Sequence, residues 1–110
     1  MLEKKLESDT VKFVQTIKET DIYWKYHVQL ARIKTDPELF QRVNEYRWKN
    51  YELHNTSQVD QLFDRMEAFE KEYAAFRENP MVDDFLNAEL AFCRMMQEIN
   101  VFITKELEFE

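Results

Sequence analysis

A chain of 110 residues is long enough for one domain with one modest core, burying about two-thirds of the surface its unfolded form exposes. With no glycine and only two prolines, it lacks the residues that tight hairpins, left-handed turns and phosphate-cradling loops need, whereas helix formers abound, so the composition reads all-helical. Its 22 acidic residues against 15 basic ones, net −7 with no Lys/Arg block, disfavour direct nucleic-acid binding, and the single cysteine, Cys93, excludes an internal disulfide and any zinc or iron–sulfur site built from several cysteines of one chain.

The first residues, "MLEKKLESD", lack the apolar core of a signal peptide. No run of 18 apolar residues follows, so a cytoplasmic protein without membrane attachment is expected. No repeat or Gly/Ser linker divides residues 1–110, which read as a single domain. Five helices are predicted, over residues 9–18, 22–34, 37–54, 58–77 and 80–107. Thr20 or Asp21 opens the second, Asp36 with Pro37 the third, residues of "NTSQVD" the fourth, and Asn79 with Pro80 the fifth. Connections this short favour antiparallel packing. The expected fold is therefore all-α, an antiparallel bundle of about five helices with long third, fourth and fifth members.

In the second helix, Tyr23, Tyr26, Leu30 and Ile33 recur at helical spacing and read as core. The third carries Leu39, Val43, Tyr46, Asn50 and Leu53 along one seam. Trp48 lies roughly half a turn off that seam, flanked by Arg47 and Lys49, and is a candidate protein contact unless the first or second helix covers it. In the fourth helix Val59, Leu62, Met66, Phe69, Tyr73 and Phe76 form a coiled-coil-like seam that suits the third.

The fifth helix carries two adjacent apolar lines. Met81, Phe85, Ala88, Phe92, Met95, Ile99 and Phe102 form one, and Val82, Leu86, Cys93, Met96, Ile103 and Leu107 the other. Together they span roughly 200°, about twice what a one-sided helix needs. At about 42 Å the helix also exceeds the roughly 35 Å diameter of a compact globule of this size. Two packing partners are expected for it: either the monomer is elongated or another subunit covers the surplus apolar surface, and the 16 aromatic residues favour the second, with Met81, Phe85, Phe92 and Met96 as partner-contact candidates.

Glu89 sits near the centre of that arc, and Asn100 lies close to the same line. A carboxylate there needs a cation or hydrogen bonds, or its pKa must rise until it is neutral. Arg94 points roughly 140° away; Arg47, beside the apolar seam of the third helix, is the expected partner. Arg47, Glu89 and Asn100 are therefore candidate buried polar groups that set helix register or subunit pairing, and Cys93 reads as a small apolar filler.

Other readings need other ligand sets. Glu89 and Cys93, one turn apart, could serve an enzyme or metal carrier at a subunit interface, but only His27 and His54 are present and no Glu-x-x-His pair or activating dyad accompanies them. Arg47, Trp48 and Lys49 could serve a base-stacking surface, which the acidic balance opposes. No catalytic residue, metal or cofactor is expected.

The order of these pieces resembles the YlbF/YmcA family of small bacterial regulators. The likeness rests on "KETDIYWKY", on "TDPELFQRVNEYRWKNYEL" (35–53) and on "NPMVDDFLNAELAFCRMMQEINVFI" (79–103). It implies an all-α protein, not an enzyme, that associates with itself and with related helical proteins. Some relatives join a complex that modulates an endoribonuclease, and through it competence, biofilm formation and sporulation. Some also carry C-terminal cysteines linked to an iron–sulfur cluster; this chain ends "TKELEFE", and that cluster is not carried over.

Overall fold

A computed structural model describes residues 1–109. They form five α-helices: α1 (Lys4–Lys18), α2 (Asp21–Lys34), α3 (Pro37–Thr56), α4 (Val59–Arg77) and α5 (Pro80–Glu106). Three starts are chemically explicit. Thr20 Oγ1 accepts from Tyr23 N (3.2 Å), Asp36 Oδ1 from Leu39 N (3.1 Å) and Asn79 Oδ1 from Met81 N (3.0 Å), each satisfying an amide that the first helical turn leaves open. Pro37 and Pro80 occupy first-turn positions, where the missing N–H is no loss.

One helix start differs clearly from expectation. α1 begins at Lys4 instead of near residue 9, because the leading segment is rich in Glu and Lys, good helix formers without an apolar pattern. α4 begins after Gln58, whose side chain makes no capping bond, while the hydroxyl of Ser57 accepts from Arg65 Nη1 at 2.9 Å. At the far end, Glu108 takes φ 53° and the amide of Phe109 returns to Thr104 O at 3.1 Å, a left-handed helix stop that a chain without glycine must build from another residue.

α2 and α5 run antiparallel, with Thr20 touching Met95 Sδ (3.9 Å) near one end of the pair and Arg32 bridging to Asp84 (2.7 Å) near the other. α3 and α4 form a second antiparallel pair whose contact is a cluster of Tyr46, Phe69, Tyr73 and Phe76 rings. The two pairs meet where α2 passes into α3 and α4 into α5. There lies the core: Ile33, Leu39, Val43, Phe76, Val82, Phe85 and Leu86, with Tyr26, Leu30, Phe40, Tyr46, Tyr73 and Met81 packed around it.

Away from that junction the helices are sparsely covered. α1 has no buried residue. The radius of gyration is 17.6 Å, against about 13 Å for a compact chain of this length. The accessible surface is 9031 Å² for 13.5 kDa, whereas a compact monomer of that mass exposes about 6,500 Å². About 2,500 Å² more surface is therefore open than a self-contained domain would leave.

Candidate interaction surface

α3 and α5 meet at Arg47 and Glu89. The guanidinium forms an ion pair with the carboxylate. Its other terminal nitrogen donates to Asn44 Oδ1 at 3.0 Å, and its plane lies 5.6 Å from the Phe85 ring centroid. Glu89 is 20% exposed at its side chain. Burial pushes its pKa above the ordinary carboxylate value; Arg47 pulls it back through charge and hydrogen bonding, and the net displacement is upward. Partial desolvation thus outweighs an ion pair in direct contact in setting the direction of that displacement.

Two further basic groups of α3, both exposed, lie near rings of α4. Lys49 Nζ sits 5.5 Å from the Tyr73 ring and 3.9 Å from Glu72, and Arg42 lies 4.9 Å from the Phe76 ring. From α4, Arg77 reaches the Tyr46 hydroxyl (3.1 Å) and Asp83 (3.3 Å), tying the α4–α5 turn to α3. These cation–ring contacts are not evident from helical spacing within one helix, because they depend on which rings the facing helix supplies.

Trp48 faces the other way. It is 60% exposed, uncovered by α1 or α2, and stacks on the equally open Tyr51 at 5.7 Å between centroids and 21° between planes. Two large rings three residues apart on one helix face make a flat, amphipathic platform of the kind that anchors protein contacts.

On α5 the candidates separate. Phe85 is fully buried beneath Tyr26 and Arg47 and so has no surface to offer a partner. Phe92 is half-buried against Tyr23 and Tyr26, and Met81 packs on the core. Their shared line faces α2, which explains both. Met96, on the second line, is 41% exposed. Asn100 and Cys93 are exposed as well, so within this chain neither the amide nor the thiol is the buried group that spacing suggested. Val101, Phe102, Ile103 and Leu107 continue the open apolar surface to the end of the helix. Among the described residues, no three His, Cys, Asp or Glu side chains gather as metal ligands, and no helix is long and apolar enough to cross a membrane.

The description "Control of competence regulator ComK, YlbF/YmcA" belongs to a family whose profile matches residues 7–108, nearly the whole chain and all five helices. The chain belongs to the YlbF/YmcA family. It is also 25% identical over 91 residues to a UPF0342 protein from Desulfitobacterium hafniense (strain Y51), a match covering 81% of this chain and 73% of that one. No solved structure matches it. The YlbF/YmcA assignment accords with the five-helix architecture and gives a regulatory role to a chain whose helix faces are largely uncovered.

Proposed function

We propose that this YlbF/YmcA-family chain is a non-enzymatic adaptor that acts by docking its helix faces on protein partners, in a pathway of the kind its relatives serve: competence, biofilm formation, sporulation or RNA processing. The observation that carries this reading is the uncovered surface: 9031 Å² in all, about 2,500 Å² beyond a compact monomer, with large apolar groups prominent along the distal half of α5 and the Trp48/Tyr51 platform. Exposed large apolar groups gathered in this way mark association surfaces. Aromatic and Met side chains would supply affinity and the few polar groups among them, Glu89 and Asn100, would restrict which partner fits. With a net charge of −7, any effect on RNA passes through a protein partner.

The test is a binding comparison on purified protein. Wild-type chain and Trp48→Ala are titrated with candidate partner proteins and, separately, with single- and double-stranded RNA at several salt concentrations. The reading requires protein binding that weakens on Trp48→Ala and RNA binding that stays negligible. Tight, salt-sensitive RNA binding by the isolated chain would sink it.

A further inference from the structure

Trp48 and Tyr51 stack in the open at 5.7 Å, and the charges around them all have one sign. At about 100° per residue, Tyr51 flanks Trp48 on one side of α3, while Glu38, Glu45 and Glu52 form a line on the other, each about 10.5 Å from the next along the helix. All five side chains are exposed. Every other residue of α3 within about 80° of Trp48 is uncharged, and the nearest basic groups of the helix, Arg47 and Lys49, lie about 100° to either side. Arg47 pairs with Glu89, and Lys49 lies 3.9 Å from Glu72. Among the described residues none of the three carboxylates holds an ion pair.

We propose that this face of α3 takes a basic, arginine-bearing segment of a partner protein, laid along the helix with one guanidinium on the Trp48/Tyr51 rings and others against the carboxylate line; the proposal rests on the helix-face docking reading above and names what docks. Two properties select this occupant. The face of an aromatic ring attracts cations, tryptophan most strongly, and a planar guanidinium stacks on it as a compact ammonium does not. The carboxylates add a negative field along about 21 Å of the helix, and no cation of the chain neutralises them by direct contact. Rings and carboxylates thus ask for the same chemistry, a flat cation followed by further positive charge.

The same field disfavours the other occupants. RNA, an acidic peptide and an anionic lipid surface would each bring like charge to the carboxylates. An uncharged apolar helix would bury them without partners, a cost that a cation removes. A second copy of this chain is itself net −7. Glu38 also lies in the first turn of α3, where the helix dipole favours a carboxylate; Glu45 and Glu52 lie beyond the reach of that effect. The spacing sets the partner's pattern, since about 10.5 Å on the helix matches every third residue of an extended chain at about 3.3 Å per residue.

Peptide titration of the full chain tests this. Of the two tryptophans, Trp24 is 63% exposed and outside the core, so Trp24→Phe leaves Trp48 as the one indole reporter. The probe is a capped peptide of about twelve residues with arginine at every third position among Ser and Ala, titrated beside its Lys and Glu counterparts. The arginine peptide should change Trp48 fluorescence saturably, bind more tightly than the lysine peptide and weaken as salt rises, while the Glu peptide gives no response. By calorimetry on variants that keep wild-type helical circular dichroism, Trp48→Ala should weaken the arginine peptide at least about fivefold. Glu45→Gln with Glu52→Gln should weaken it at least about threefold and flatten the salt dependence. No response to the arginine peptide, equal response to the arginine and Glu peptides, binding untouched by the paired Glu→Gln changes, or a Trp48-dependent self-association without peptide binding overturns the proposal. A protein partner bound through Trp48 by a chain that ignores the arginine peptide leaves the docking reading standing and sinks this one; peptide binding by a chain whose protein partners are indifferent to Trp48→Ala does the reverse.

Discussion

Replacing Arg47 with Met keeps a long unbranched side chain but removes the guanidinium that lies over Phe85 and pairs with Glu89. A fully buried carboxylate left without its cation would cost about 3–5 kcal/mol, and a surface pair about 0–1. Glu89 retains 20% exposure, so the expected loss lies between these limits, about 1–3 kcal/mol. For a chain of 110 residues the unfolding entropy is about 230 cal/mol/K, and the melting temperature should fall by about 4–13 °C. Thermal melts at one fixed protein concentration at pH 7 would compare Arg47→Met, Glu89→Gln and the Arg47→Met/Glu89→Leu double variant. Glu89→Gln should stay within about 1 kcal/mol of wild type, since the neutral amide removes the desolvation that raises the Glu89 pKa. The double variant should regain most of what Arg47→Met loses. If it melts as low as Arg47→Met alone, the loss came from packing or from Asn44, and the ion-pair reasoning fails.

The upward displacement of Glu89 has a pH signature. The folded state holds this proton more tightly than the unfolded one, so its contribution to stability declines as pH rises from the ordinary carboxylate value through the raised folded value, then levels off. Glu89→Gln should remove that component of the pH–stability curve; an unchanged curve would assign it elsewhere. Trp48→Ala should shift stability by less than about 1 kcal/mol, as for an exposed side chain, while lowering partner affinity; a large drop in melting temperature would place the ring in a packed environment. Phe85→Ala, at a fully buried position, should destabilise by about 3–5 kcal/mol, and a tolerated substitution measured by chemical denaturation would mean that the core is looser than its packing indicates.

Much of the architecture was legible before the structure because its signals are local. Asp36–Pro37 and Asn79–Pro80 mark helix starts through the amides they satisfy, and those caps form at the expected positions. The Tyr26, Leu30 and Ile33 spacing, Leu39, Val43 and Tyr46 of the α3 seam and Tyr73 and Phe76 of the α4 seam fall in or against the core, whereas Val59, first in the α4 seam, lies beyond the junction of the helix pairs and is 87% exposed. Arg47 could be matched to Glu89 because a carboxylate on an apolar arc demands a cation and few cations flank an apolar seam. What stayed hidden depends on angles between helices. Phe85 and Met96 look alike in sequence, both apolar residues of one wide arc, yet the first is sealed and the second stays 41% exposed. Periodicity says that an arc will be covered, but not which part its own chain covers. The same gap misplaced Cys93, apolar by position and exposed in fact. It also hid the contacts of Arg42 and Lys49 with the rings of α4.

The central claim is that this chain works by presenting helix faces to other proteins. The most direct measurement is quantitative affinity capture from the cells that express it, comparing wild type with Trp48→Ala and Ile103→Glu, each first shown by circular dichroism to keep the wild-type helix content. The account predicts a defined set of proteins recovered with wild type and reduced at least about tenfold with one or both variants, a loss of about 1.4 kcal/mol or more in binding. Equal recovery with all three, or recovery of RNA in place of protein, would contradict it.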